Sequence, residues 1–383
     1  MKIKKIISVN ELKFFGNEKK YINDCINKKW ISSDGPFVKK FENNFSKIVK
    51  KKYGTAVCNG SAALEIAVQA LNLKPNDEVL VPAFTIISCC NAIIKNKLKP
   101  VLVDCDLKTW NLDVNLIENL ITKRTKAIMI VHIYGLTSDI DPIIKIAKKY
   151  KLKIIEDASE VHGQFYKDRP CGSFGDISTF SFYANKHITT GEGGMVLTNS
   201  KKYNERINKI KNLYFGSGIN RFYHEGIGSN FRMTSFQAAF GLSQLKNLKK
   251  IISIKEGLGE TYTKLLQRIS KFVYLPLSKT SYCKNNYWIY GILIKKNINI
   301  DNKKAISLLE KKGIICRPFF VSMSLQPIYK KMKLFKNSNT PNANYLSRKG
   351  FYIPSGVGTK KHQMITVVKE LYSLFKNIHN SNV

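Results

Sequence analysis

One lysine of this chain stands where it could do chemistry. Lys186 follows an apolar, strand-like run, 177–182, and precedes a glycine-rich loop that ends at Gly194. Partial burial beside such a strand disfavours the ammonium form and lowers the pKa of the amine, which makes it a better nucleophile. Most other lysines serve only solubility, and 55 of the 63 basic residues are lysine. Lys186 is therefore the candidate for an imine-forming lysine.

A second candidate is the turn Gly60-Ser61-Ala62, at the start of a helical pattern over 61–73. Free backbone N–H groups and the helix dipole at such a start bind phosphate. A Gly-Ser helix start is more often an ordinary N-cap. Taken alone, the turn leaves both interpretations open.

A third candidate is Asp157, at the carboxyl end of the apolar strand pattern 153–157. Ligands bind at this edge of open α/β sheets, and a buried carboxylate needs a partner. One interpretation is a cap for a following helix; the other is an ion pair with a protonated heterocyclic nitrogen. A phosphate turn, a strand-end aspartate and a later lysine, in that order, are the parts that pyridoxal phosphate requires.

The elements that must position these residues follow from hydrophobic periodicity. Helices are predicted over 61–73, 85–96, 113–120 and 141–150, and strands over 78–82, 99–104, 127–132, 153–157, 177–182 and 194–198. The apolar run 127–131 is typical of a parallel strand buried on both faces. Alternation of strands and helices indicates an α/β domain.

The pattern changes near residue 250. A helix is predicted over 235–248, then a long helix over 249–269, strands over 287–294 and 314–320, a solvated loop over 330–344 and a terminal helix over 362–378. We therefore expect a large cofactor-binding α/β domain over residues 1–250 and a smaller α+β domain over 251–383.

The net charge of +36 first suggests a nucleic-acid or membrane partner. Only eight of the basic residues are arginine, the better residue for reading bases, and the lysines are spread along the whole chain. We therefore expect no nucleic-acid and no membrane partner, and the surplus charge suits an acidic ligand such as a nucleotide diphosphate.

The eight cysteines lack metal-ligand spacing, so we expect no metal and a cytoplasmic protein with reduced thiols. The basic start, 1–5, precedes too short an apolar stretch for a signal peptide, and no run is long enough to span a bilayer.

With these residues in view, the chain resembles the DegT-type sugar-nucleotide aminotransferases, within fold type I of the pyridoxal-phosphate enzymes. The resemblance covers the chain from Trp30 to the terminal helix. The stretches that carry it are 59–64, 131–135, 156–160, 180–186, 188–195, 228–234 and 317–320. It implies a large domain with a mixed, mostly parallel sheet and helices on both faces, followed by a small α+β domain.

The resemblance implies roles at matching positions. Lys186 would bind the cofactor and move a proton between cofactor and sugar, Asp157 would pair with the ring nitrogen, and Glu160 would reach the ring hydroxyl. The implied phosphate contacts are Gly60, Ser61, Ala62 and Ser181, with Asn230 reaching in from a neighbouring subunit. The resemblance therefore implies a homodimer with shared active sites.

Substrate contacts are implied at Arg232, Arg317 and Phe319. Two places depart from the family pattern. Ile86 stands where relatives carry an aromatic residue stacked on the cofactor ring. Val321, Ser322 and Ser324 replace a histidine, a proline and a second histidine in a segment that faces the sugar.

The implied reaction moves an amino group from glutamate to C4 of a nucleotide-linked 4-keto-6-deoxyhexose, with pyridoxamine 5′-phosphate as the aminated form of the cofactor. GDP-4-keto-6-deoxymannose is the favoured substrate and GDP-perosamine the expected product, for bacterial surface polysaccharide (O-antigen). The alternatives are a UDP- or dTDP-linked keto-sugar, a sugar 3-dehydratase and a non-catalytic regulatory protein. Relatives with dehydratase activity carry histidine where this chain has Lys186, and a regulator is expected to lose that lysine or Asp157.

Overall fold

A computed structural model describes residues 6–381. The basic start, 1–5, on which part of the signal-peptide interpretation rests, lies outside the described residues. Within 6–381, no helix has the length and apolar character needed to cross a membrane.

From residue 53 to residue 157 strands alternate with helices, with only 3₁₀ turns between the third and fourth strands. The helices are α1 Glu18–Asn27, α2 Pro36–Val49, α3 Gly60–Ala70, α4 Ile87–Lys95, α5 Ile140–Lys149, α6 Lys201–Lys211, α7 Ser235–Lys246, α8 Leu248–Leu266, α9 Asn302–Glu310, α10 Pro327–Lys331, α11 Pro341–Lys349 and α12 Lys361–Ser381. The strands are β1 Tyr53–Val57, β2 Glu78–Pro82, β3 Lys99–Val103, β4 Thr125–Val131, β5 Lys153–Asp157, β6 Phe165–Tyr166, β7 Arg169–Pro170, β8 Ile177–Ser181, β9 Gly194–Thr198, β10 Val273–Tyr274, β11 Tyr290–Ile294, β12 Arg317–Pro318 and β13 Gly350–Ile353.

The large sheet has the strand order β1-β9-β8-β5-β4-β2-β3. The strands from β8 to β3 pair in parallel, whereas β9 is antiparallel to both of its neighbours. Along β4, Met129 packs into one hydrophobic core while Ile128 and Ile130 pack into another. Both faces of the sheet are therefore covered, which confirms the predicted mixed, mostly parallel α/β fold.

A second, antiparallel sheet has the order β10-β11-β13-β12 and packs its own core against α8, α9 and α12. Ile7 crosses from the N-terminus to pair with Ile314 and joins this core. The predicted boundary near residue 250 falls close to the start of α8 and stays a prediction.

Three local predictions were wrong. Residues 113–120 form two short 3₁₀ turns instead of a helix, because the Asp113 side chain accepts the backbone N–H of Asn115 and tightens the chain there. The strand expected over 314–320 shrinks to β12, where Pro318 has no N–H for a ladder. The expected loop 330–344 contains the end of α10 and the start of α11.

The end of β5 is fixed by a buried carboxylate one residue before Asp157. Glu156 accepts the backbone N–H groups of Phe174 at 2.8 Å and Gly175 at 2.9 Å, and it pairs with His132 at 3.2 Å. Burial alone would raise the pKa of Glu156, but the bonds from His132 and the backbone hold that pKa below its usual value. The ionised carboxylate therefore ties the chain before β8 to the end of β5.

Candidate active site

The carboxyl edge of the large sheet carries a cleft of about 520 Å³. Gly194 pairs with both Val57 and Ser181, so the chain entering α3 and the end of β8 lie side by side at this edge. The end of β5 lies next to β8. Of the predicted site residues, the cleft is lined by Gly60, Ser61, Ile86, Asp157, Glu160, Ser181 and Lys186.

Lys186 lies in the turn after β8 and is nearly buried, with 9% of its side chain exposed. Its Nζ lies 3.7 Å from Oε1 of Glu160 and 3.6 Å from the ring centroid of Trp288. Burial lowers the pKa of Lys186, and the nearby Glu160 and Asp157 carboxylates offset only part of that effect. The amine is thus shifted toward the neutral, nucleophilic form.

Burial also shifts the pKa of Glu160, but upward. Its Oε2 accepts the backbone N–H of Tyr134 at 2.8 Å. Burial raises the pKa of Glu160 to about 7, and the attraction of Lys186 does not cancel the increase. The pKa of each partner is therefore displaced in the direction that favours its neutral form.

Most of the hydrogen bonds to Asp157 fall on one of its oxygens. Oδ1 accepts the backbone N–H of Ser159 at 3.1 Å, the Ser159 hydroxyl at 2.5 Å and the Thr179 hydroxyl at 3.4 Å. Within the described residues, Oδ2 accepts only a weak hydrogen bond from the Cys89 thiol, at 3.7 Å. No helix begins at residue 158, so the helix-cap interpretation of Asp157 was wrong. Oδ2 is the oxygen left to accept a further N–H.

In the turn at the start of α3, the residue that caps the helix is not the residue whose hydroxyl faces the cleft. Asn59 is the N-cap, and its Oδ1 accepts the backbone N–H of Ala62 at 2.8 Å. The Ser61 hydroxyl bonds to Ser88 at 2.7 Å instead. A Cβ at Gly60 would lie 2.7 Å from the Ser181 Cβ, so only glycine allows this turn to approach β8 so closely. The Ser61 and Ser181 hydroxyls therefore both lie beside the N-terminus of α3.

The remaining predicted residues lie outside this cleft, including Ala62, whose backbone N–H is taken up by Asn59. Asn230 is exposed, and Arg232 pairs with Val57 and donates to the Asn212 side chain at 2.7 Å. Arg317 is exposed on β12. Phe319 is only 2% exposed and belongs to an aromatic cluster in the core, so the structure does not place it at the substrate.

Sequence reasoning missed several residues of the cleft wall. Phe320 takes the place expected for Phe319, and Trp288 and Tyr352 come from the C-terminal part of the chain. Nothing near Trp288 in the sequence marks it as a neighbour of Lys186. Ser159 could have been found, because a side chain two residues after an aspartate often closes a local turn.

Three groups converge at the carboxyl edge of a mostly parallel sheet: a nearly buried amine, a carboxylate that can accept a further N–H, and a helix N-terminus. These are the parts of a fold type I enzyme that binds pyridoxal phosphate through a lysine. Residues 15–372 match the DegT/DnrJ/EryC1/StrS aminotransferase family, and the chain belongs to that family.

Relatives match over nearly the whole chain. The GDP-perosamine synthase of Escherichia coli O157:H7 is 38% identical over 96% of this chain and 99% of its own length. The GDP-perosamine synthase of Vibrio cholerae is 35% identical over 98% of this chain and 100% of its own length. The structure of Helicobacter pylori PseC, an aminotransferase involved in the biosynthesis of pseudoaminic acid, superposes with a TM-score of 0.91 at 23% identity, covering 97% of this chain and 100% of that one.

As an aminotransferase of this family the protein uses pyridoxal 5′-phosphate, and the cleft fits that group. The N-terminus of α3 with the Ser61 and Ser181 hydroxyls offers a phosphate cradle, in which the close approach at Gly60 leaves no room for a side chain. Oδ2 of Asp157 can accept an N–H from a ring nitrogen, and the Lys186 amine can bind an aldehyde carbon.

The chemistry divides between cofactor and chain. Bound pyridoxal 5′-phosphate supplies an electron sink for the charge left on carbon when a proton departs. Asp157 would stabilise positive charge at the ring nitrogen. Lys186 would bind the aldehyde and, once free, take and return a proton at Nζ. Glu160 would hold that lysine in place.

The raised pKa of Glu160 predicts a pH effect on stability. A carboxyl whose pKa rises from 4.5 to about 7 on folding costs stability as pH increases through that interval. The Glu160→Gln substitution removes this ionisation and keeps an acceptor for the Tyr134 N–H. Between about pH 5 and about pH 8, cofactor-free wild type should lose on the order of 3 kcal/mol more unfolding free energy than the variant.

Urea unfolding at several pH values measures this difference. Glu192→Gln, which changes an exposed glutamate of the same cleft, is the matched control and should follow wild type. Parallel pH curves for wild type and Glu160→Gln would show that the burial of Glu160 does not shift its ionisation.

Proposed function

We propose that the protein transfers an amino group from glutamate to C4 of GDP-4-keto-6-deoxymannose, forming GDP-perosamine for bacterial surface polysaccharide. The observation that carries the proposal is the placement of Lys186: a nearly buried amine between Glu160 and Trp288, in the cleft that also contains Asp157 and the α3 turn. Such an amine, beside a carboxylate and a phosphate cradle, is equipped for transamination.

The choice of sugar nucleotide is supported by the two GDP-perosamine synthases described above, which match this chain from end to end. A UDP- or dTDP-linked keto-sugar remains the alternative, because Val321, Ser322 and Ser324 depart from the family pattern. Ser324 bonds to Thr340 at 2.8 Å and to Asn344 at 3.0 Å, so hydroxyl and amide groups occupy the region where relatives carry histidine.

Two other activities fit the site less well. A sugar 3-dehydratase of this fold is expected to carry histidine in place of Lys186. A non-catalytic regulator is expected to lose Lys186 or Asp157, whereas this chain keeps both within one cleft. We also propose a cytoplasmic location, which suits eight cysteines that are all unpaired.

We propose that the active unit is a homodimer in which Asn230 reaches the neighbour's phosphate site. Asn230 is exposed and follows a loop that projects apolar side chains into solvent. Ile219 is 98% exposed and Ile227 89% exposed, and Phe222 and Tyr223 are also exposed in this loop. Exposure of several large apolar side chains within a few residues favours a protein partner. Arg232 and Arg317 are then available for the nucleotide diphosphate or for the glutamate carboxylate.

The central test of the activity is Lys186→Ala. Purified wild type should be yellow with bound pyridoxal 5′-phosphate. The variant should lose the visible absorbance band, and its turnover should fall by at least about 1000-fold, because both covalent binding and proton transfer depend on this amine. Absorbance spectra and a coupled glutamate assay measure the two effects.

The matched control is Lys255→Met, since Lys255 is another buried lysine, whose pKa burial lowers to about 7. Its amine donates to the backbone carbonyl of Ser355, and Lys255 does not line the cleft. This variant should stay yellow. A colourless wild type that does not respond to added cofactor would contradict the proposal.

The substrate is tested by offering GDP-, UDP- and dTDP-linked 4-keto-6-deoxy sugars with glutamate to the same preparation. We expect the GDP-linked sugar to react with the highest kcat/KM and to give GDP-perosamine, identified by mass and by its NMR couplings. A higher kcat/KM for another nucleotide would retain the aminotransferase and overturn the substrate.

A further inference from the structure

Trp288 contacts the reactive lysine and the residue before it. The lysine Nζ lies 3.6 Å from the centroid of the indole ring, and the indole N–H donates to the carbonyl oxygen of Asn185 at 2.8 Å. Asn185 is the residue before Lys186. One side chain therefore contacts both the charged end of Lys186 and the backbone that carries it.

The indole face is a substantial partner for this ammonium. Cation–π attraction is strongest for tryptophan and increases when the cation is desolvated, and only 9% of the Lys186 side chain is exposed. The Glu160 oxygen lies 3.7 Å from Nζ, which is longer than an ordinary hydrogen bond. The indole face and the Glu160 carboxylate therefore both lie against the charged amine.

The fold holds this ring firmly in place. Trp288 is 6% exposed, and its ring lies 5.8 Å from that of Tyr134. Gly135, with a φ of 99°, lets the chain come close: a Cβ there would lie 2.7 Å from the backbone nitrogen of Trp288. The N–H of Tyr134 also fixes Glu160. One segment of the large domain thus positions both partners of the amine.

We propose that Trp288 is a positioning residue that holds the free ammonium of Lys186 in the cleft whenever that lysine is not bound to the cofactor. The role rests on the proposed function, in which Lys186 is released and rebound in each half-reaction. A flexible side chain held on a fixed ring loses fewer conformations at rebinding, so the amine stays within reach of its target.

The first experiment needs no cofactor. Tryptophan emission of the cofactor-free protein is followed against pH in wild type, Trp288→Phe and Lys186→Met. A charge that appears or disappears on the indole face alters its emission, so wild type should show a transition that both variants lose. Glu160→Gln is compared as well, because Glu160 titrates in the same cleft, and the Lys186 transition is the one that Glu160→Gln keeps. Asp157 and the Cys89 thiol also act on this amine, and they remain in every variant.

Trp30→Phe is the control, because Trp30 is a partly exposed tryptophan and its replacement leaves Trp288 in place. This variant should keep the transition. The proposal is overturned if wild type shows no transition, or if the transition survives in Lys186→Met. Because no cofactor is present, either result is independent of whether the aminotransferase proposal holds.

The second experiment measures how fast the cofactor-free protein captures pyridoxal 5′-phosphate as a function of pH. Trp288→Met keeps apolar volume but removes the ring that stabilises the ammonium, so the midpoint of the rise in capture rate should move to lower pH. The plateau rate at high pH, where the amine is neutral in every protein, should fall several-fold because the amine is no longer held within reach. Trp288→Phe should lie between this variant and wild type.

The shift of the midpoint separates positioning from structural damage. A lower plateau with an unchanged midpoint, in a protein with wild-type thermal unfolding, would mean that the ring does not contact the charged amine, and it would overturn the proposal. If wild type itself captures no cofactor, the proposed function fails, while the emission experiment still decides the contact between Trp288 and Lys186.

Discussion

The site depends on burying the amine of Lys186 against the carboxylate of Glu160. Burial outweighs attraction for both partners: it lowers the pKa of Lys186 and raises that of Glu160 to about 7. Both shifts favour the neutral form of the group. A lysine that acts alternately as nucleophile and base needs ready access to its neutral form.

The rest of the fold serves to bring this pair to the other two functional groups. Parallel strands end at one edge of the sheet, and Gly194 in the antiparallel β9 joins the start of α3 to the end of β8. The ionised Glu156 network fixes the end of β5, where Asp157 stands. Residues far apart in sequence thus converge because topology fixes where strands end.

The sequence was sufficient for the groups that lie on regular elements. Lys186, Asp157 and the Ser61 turn follow strand ends or begin a helix, so hydrophobic periodicity located them and the parallel sheet brought them together. It could not locate Trp288, whose approach depends on packing between the two parts of the chain. The sequence could not show that Phe320, and not Phe319, lines the cleft, because β12 is too short for the alternation of side chains to decide which of them faces inward.

The proposed function requires that one lysine among 55, Lys186, binds the cofactor. The most direct measurement is to reduce the protein with borohydride after loading with pyridoxal 5′-phosphate, digest it and locate the added mass by peptide sequencing. We expect one stoichiometric adduct, on the peptide that carries Lys186. An adduct on Lys255, or label spread over the surface lysines, would contradict the role of Lys186.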